Sequence, residues 1–149
     1  MVESIITPTD VPEAYMSKYL VNPDIKREYF SIAPMVDVSD KYFRYFMRLL
    51  TKHAFLYTEM LNENAVINAC QGRDRLLAFN EIEHPVVCQL GGSDPATMGQ
   101  AAKVCEDFGY DEVYVNCGCP SNKVVKGAFG AVLMKNPENV SRIVAEMRS

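Results

Sequence analysis

Tryptophan is absent, histidine occurs twice, and there is no surplus of positive charge. Fifteen Lys and Arg stand against 19 Asp and Glu, for a formal net charge of −4 and a sequence pI near 5.2. Nucleic-acid affinity rests on a basic face, so an RNA-binding reading requires a local basic patch or basic residues outside these 149. No apolar run approaches the roughly 20 residues of a bilayer span, and no membrane partner is expected. The opening Met1-Val2-Glu3, with acids at Asp10 and Glu13, lacks both the apolar stretch of a secretory signal and the arginine-rich, acid-poor character of a transit peptide. The cysteines number five, which argues against a disulfide framework and for a reducing compartment. The expected location is the cytoplasm.

What is present is a hydrophobic content of 48% without low-complexity segments, enough for a sizeable core. Residues 1–28 read as a polar N-terminal extension with Pro8, Pro12 and Pro23, in which Glu13 to Leu20 has a short helical pattern. From Tyr29 a rhythm sets in. Tyr29 to Ala33 is a short apolar strand stopped by Pro34. Ser39 or Asp40 caps a helix running to Leu50, with Phe43, Phe46, Met47 and Leu50 on an apolar face and Lys41, Arg44 and Arg48 on the polar one. Ala54 to Thr58 is a second strand, Asn62 to Ala69 a helix, and Arg73 to His84 an irregular connection. Pro85 to Leu90 is a third strand ended by Gly91-Gly92.

Ser93 or Asp94 opens the next helix, on which Met98, Ala101, Ala102, Cys105 and Phe108 recur at helical spacing before Gly109 ends it. Glu112 to Val115 is the fourth strand, followed by a loop to about Gly130 and a helix from Pro137 or Glu138. Strands alternating with helices imply right-handed crossovers and a parallel sheet. The fold class is α/β, of the parallel (β/α) TIM-barrel type. About four β/α units are present, a half barrel, where a closed ring takes eight over about 250 residues. Ligand sites in such folds lie at the carboxyl ends of the strands.

Directly after the fourth strand stands Asn116-Cys117-Gly118-Cys119-Pro120-Ser121. A thiol in a loop at the mouth of the sheet can give or take a proton. Asn116 offers an amide that is both donor and acceptor, suited to the edge of a ring such as uracil. The plain alternative for any cysteine is packing. Cys88 and Cys105 fit it, on a strand and an apolar helix face; Cys70 belongs to a loop or helix end; Cys119 lies outside the periodic pattern. No metal site is expected, because the C-x-C pair has no further cysteine pair or nearby histidine to complete four ligands. His53 and His84 flank strands as boundary residues. Gly91-Gly92 and Gly127-Ala128-Phe129-Gly130 match no phosphate-binding pattern. The first reads as a tight turn and the second as a close backbone approach.

Ala33-Pro34-Met35, Tyr57-Thr58-Glu59-Met60, Gln89-Leu90-Gly91-Gly92-Ser93-Asp94-Pro95, Gly109-Tyr110-Asp111-Glu112 and Asn116-Cys117-Gly118-Cys119-Pro120-Ser121 follow one another in an order and spacing that resembles the tRNA-dihydrouridine synthases. The bacterial A-type branch is the most similar, over residues 29–149. The resemblance implies an FMN-containing TIM barrel that reduces the 5,6 double bond of uridine in tRNA, with NADPH as reductant. It implies that Cys119 is the proton donor and that Asn116 contacts the target base. It also implies that Pro34, Met35 and Val36 line the flavin with backbone, and that Gln89 bonds to it. The target base is flipped out of the folded tRNA to reach the flavin.

The family's later flavin-holding lysine and histidine, its phosphate loops and its helical tRNA-gripping domain have no counterpart here, and Cys117 stands where an aliphatic residue is common. The isolated chain is therefore expected neither to hold FMN tightly nor to reduce tRNA. Two other readings remain open. One is a non-catalytic half barrel that associates with a second chain supplying the missing half. The other is a different flavin TIM barrel acting on free pyrimidines.

Overall fold

In a computed structural model, residues 30–69 and 75–149 are described. The extension, its Glu13 to Leu20 pattern, and Cys70 lie outside the described residues. The first strand, β1, is shorter than expected, Ser31–Ile32, and pairs with β2, Phe55–Asn62. Helix α1, Lys41–Leu50, lies between them, and α2, Glu63–Ala69, follows β2. A 3₁₀ turn at Glu81–Glu83 leads into β3, Val86–Gly91, then α3, Pro95–Phe108, and β4, Glu112–Val115. The loop beyond β4 contains a short helix α4, Asn122–Lys126, and a 3₁₀ segment, Gly130–Lys135, before α5, Pro137–Met147. The four strands are parallel in the order β1-β2-β3-β4, the succession of a partial β/α barrel. Among the described residues, no helix is long and apolar enough to cross a membrane.

Local chemistry sets the helix ends. The Asp40 carboxylate accepts the N–H groups of Tyr42 and Phe43 at 3.0 and 2.8 Å, closing the start of α1. Asp94 takes the Thr97 N–H at 2.9 Å, with Pro95 in the first turn where it forfeits no helical bond. Gly109 ends α3 at φ 98°, a left-handed conformation that suits glycine.

Strand alternation divides β3 between two faces. Val86, Cys88 and Leu90 pack with Val66 of α2, Met98, Ala101 and Cys105 of α3, and Ile143 of α5 in one core. Cys88 and Cys105 are buried there, sulfur to sulfur at 3.2 Å, as packing thiols. Their hydrogen bond and burial push the Cys88 pKa upward. Val87, Gln89 and Gly91 take the opposite face, and because Gln89 stands opposite Tyr114 in register, Tyr114 and Asn116 share it.

Helix α1 corrects the sequence reading. Arg44 and Arg48, expected on the polar face, are buried, whereas Phe46 and Leu50, expected inside, are exposed; Phe43 and Met47 are half-buried. The reason lies in what α1 faces. The Arg44 Nε donates to Glu83 Oε2 at 2.7 Å, and its other nitrogens donate to the carbonyls of Ser39 and Ala78. Arg48 donates to the carbonyls of Thr51, Ala54, Glu83 and Pro85. Ala54 and Pro85 immediately precede β2 and β3, so one guanidinium collects the carbonyls at the amino ends of two strands. A five-donor fork does this where no apolar residue can. Burial lowers the Arg48 pKa, and the attraction of Glu83 opposes that shift.

This cluster predicts an asymmetry of ion pairs. Glu83→Gln leaves the buried Arg44 without its counter-charge and costs about 3–5 kcal/mol. Lys103→Ala, which removes an ammonium paired in water with Glu106 and Asp107, leaves the unfolding midpoint where it was. Urea titration of the two variants checks both outcomes.

Candidate functional site at the carboxyl ends of the strands

The turn after β1 carries Pro34, Met35 and Val36. Met35 accepts the N–H groups of Val38 and Ser39 at 3.2 and 2.9 Å, and gives its own N–H to the buried Ser39 hydroxyl at 2.9 Å. The turn is thus self-bonded through Met35, while Met35 and Val36 are exposed. Asp37, at φ 60°, donates its N–H to the Glu59 carboxylate, docking the turn on β2.

Beside this turn, β2 is irregular. Tyr57 pairs with Val87, but the next registered pair is Met60 with Gln89, so Thr58 and Glu59 stand against Cys88 alone. This is a β-bulge. Gln89, 3% exposed, gives its backbone N–H to Thr58 Oγ1 at 2.9 Å and its side-chain Nε2 to the Thr58 carbonyl at 3.3 Å. Its Oε1 accepts from Asn116 Nδ2 at 2.6 Å.

Asn116 completes the sequence of bonds. Its Oδ1 accepts the N–H groups of Gly118 and Cys119, at 3.1 and 2.9 Å, an Asx-type turn that bends the chain at the strand end. The amide orientation is therefore determined by both neighbours: nitrogen toward Gln89, oxygen toward the loop. Cys119, half-buried, is held on its other side by its carbonyl, which accepts from Ala131 N at 3.0 Å. Gly130 permits that contact. It sits at φ 65°, and a Cβ there would lie 2.7 Å from the Cys119 oxygen and 2.4 Å from Val124 Cγ1. The close approach expected for the second glycine cluster is found here.

Cys117 differs from Cys119. It packs half-buried against the core, and desolvation raises its thiol pKa. His53 is exposed, and His84 bonds through Nδ1 to Asp111 Oδ2 at 2.7 Å, at the amino ends of the strands and away from this loop.

Gln89 and Asn116 are thus brought together and bonded to the Cys119 loop, with the turn of Pro34, Met35 and Val36 joined through Glu59. Sequence reading missed Thr58, Glu59 and the edge-on pair Tyr57–Tyr114, whose ring centroids are 5.7 Å apart. Their signal was the Tyr57-Thr58-Glu59-Met60 motif, but the strand was expected to stop at Thr58, which hid the bulge. Chemically the groups around the Cys119 loop are neutral, two carboxamides, a thiol and exposed backbone, while the Glu59 carboxylate is engaged by the Asp37 N–H. Gln89 Nε2 carries two hydrogens and spends one on a long bond, leaving a donor for a ring carbonyl. This suits the polar edges of planar neutral heterocycles, a flavin or a pyrimidine, rather than a phosphate.

A family model described as dihydrouridine synthase matches residues 31–149. Among curated proteins, the chain is 52% identical over 117 residues to a tRNA-dihydrouridine(20/20a) synthase of Xanthomonas campestris, covering 78% of this chain and 34% of that protein. It is 52% identical over 119 residues to one from Escherichia coli, covering 80% and 35%. A protein of the same name from Synechocystis is 48% identical over 118 residues, covering 79% and 35%. The chain spans about a third of the length of these relatives.

The Gly130 contact yields a prediction. Gly130→Ala forces a left-handed alanine against the Cys119 carbonyl and costs about 1–3 kcal/mol, with amide signals shifting around Cys119 and Ala131. A thermal melt and a ¹H–¹⁵N spectrum measure both.

Proposed function

The chain belongs to the dihydrouridine synthase family, and we propose that its residues 29–149 form part of a tRNA-dihydrouridine synthase active site in which Cys119 is the proton donor. Supporting this reading is the single observation that Gln89, Asn116 and the Cys119 backbone are hydrogen-bonded in series at the carboxyl ends of adjacent parallel strands. The substrate proposed is a uridine of tRNA, at positions 20 and 20a by analogy with the relatives' names. The location proposed is the cytoplasm, with residues 1–28 as a separate extension.

FMN, reduced by NADPH, is the cofactor proposed, with the backbone of Pro34, Met35 and Val36 and the Gln89 amide as its contacts. When bound, it supplies the hydride. The remaining work falls to the chain's own groups. Cys119 gives its proton to carbon 5 of the uracil and is left as a thiolate that regains a proton from water. Asn116, with its oxygen engaged by the loop, presents the second hydrogen of Nδ2 to the base. Phe30, directly before β1, and Tyr114 on β4 are exposed. These exposed rings support a ring of strands completed by further residues, in the same polypeptide or in a second chain.

A chimaera tests the proposal: residues 31–149 replace the matching segment of the Escherichia coli relative, in cells lacking dihydrouridine at those positions. Dihydrouridine in tRNA, read by mass spectrometry, is restored. Cys119→Ala lowers the rate by about 10²–10⁴ while bound flavin is retained. A folded, flavin-loaded chimaera that forms no dihydrouridine, or a Cys119→Ala form with undiminished rate, contradicts the proposal.

A further inference from the structure

The β2 bulge bonds to Gln89 on one side and to the turn after β1 on the other, yet neither of its residues belongs to the set picked out by sequence. Thr58 is 2% exposed, and its hydroxyl has one hydrogen to give and lone pairs to receive. The hydrogen goes to the Glu59 carbonyl at 2.8 Å, and a lone pair receives the Gln89 N–H at 2.9 Å. In an unbroken parallel ladder a backbone carbonyl of β2 receives that N–H. Here the extra residue removes it from register, and the Thr58 hydroxyl takes its place. The displaced Thr58 carbonyl is then free to accept the Gln89 side chain through Nε2.

The consequence for Gln89 is directional. With its backbone fixed by the hydroxyl and its Nε2 turned to the Thr58 carbonyl, the amide presents Oε1 to β4. Oε1 meets Asn116 Nδ2, and the other end of Asn116 holds the N–H groups of Gly118 and Cys119. The second bulge residue, Glu59, performs the matching task toward β1, where its carboxylate receives the Asp37 N–H of the turn after Met35 and Val36. One irregularity in β2 therefore sets the strand-end segments on both its sides.

We infer that Thr58 is a positioning residue, acting through Gln89 and Asn116 on the loop that carries Cys119. That this loop is catalytic rests on the function proposed above; the mechanical link from β2 to the loop does not. A valine at 58 keeps the shape of threonine and removes the hydroxyl. The Gln89 N–H, left without its acceptor, then competes with Nε2 for the backbone carbonyl of residue 58, loosening the hold on the side chain. A serine keeps the hydroxyl.

Amide hydrogen exchange and side-chain NH₂ spectra of the ¹⁵N-labelled 149-residue chain test the link. Thr58→Val speeds exchange at Gly118 and Cys119 roughly fivefold to tenfold, the equivalent of one hydrogen bond. The Gln89 and Asn116 NH₂ signals move toward free values, while amides of α3 and α5 keep their protection. Thr58→Ser restores all of these. Unchanged loop exchange overturns the inference, and so does an equal loss of protection throughout the chain, or a failure of serine to rescue. In the chimaera, Thr58→Val lowers kcat and leaves KM for tRNA unmoved; a change in KM alone contradicts the inference. An inactive chimaera sinks the proposed function without touching the exchange result, so the two failures are separable.

Discussion

The carboxamide of Asn116 is committed at both ends. Its nitrogen meets Gln89 on β3 at 2.6 Å, and its oxygen takes two consecutive backbone N–H groups of the loop after β4. A side chain with both a donor and an acceptor does this once its orientation is determined, and the orientation here comes from the neighbouring strand. The loop bearing Cys119 is therefore held to the sheet by β3 as well as by the strand that precedes it. A half-buried thiol on an unsupported loop would sample many positions. On this loop its backbone is fastened at the N–H by Asn116 and at the carbonyl by Ala131.

The two ends of the sheet divide their labour, as parallel β/α folds commonly do. At the amino ends, Arg44 and Arg48 with Glu83 gather strand-leading carbonyls in a buried charged cluster whose contribution is to hold α1 against β2 and β3. At the carboxyl ends neutral amides hold the Cys119 loop and the Glu59 carboxylate holds the turn after β1. The irregular features cluster there: the bulge, the left-handed Asp37, and the glycine-dependent approach at Gly130. Backbone irregularity of this kind gathers where side chains are being aimed.

The order of strands and helices was legible because each element carries a local signal. Asp40, Asp94 and Gly109 act as the caps their positions suggested, and Glu112 to Val115 is the fourth strand as read. Cys88 and Cys105 pack as their periodicity implied. The face of α1 was not legible. Its apolar and basic stripes are both regular, and which of them turns inward depends on Glu83 and on carbonyls 35 or more residues away, as the Arg48 contacts show. The bulge was equally hidden, because an extra residue in β2 shows only against the register of β3. Cys119 and Asn116 stood out because they follow the last β residue and lie outside any period.

The direct test of this account is amide exchange at Cys119 in two Asn116 variants. Aspartate keeps an oxygen for the loop and forfeits the donor to Gln89; alanine forfeits both. The account predicts that Asn116→Ala strips protection from the Gly118 and Cys119 amides. Asn116→Asp, which keeps the loop bonds and forfeits only the tie to Gln89, speeds exchange there by about the fivefold to tenfold of one hydrogen bond. Full protection in the alanine variant would mean that the loop is held by something other than this amide, and the arrangement described for Cys119 would be wrong.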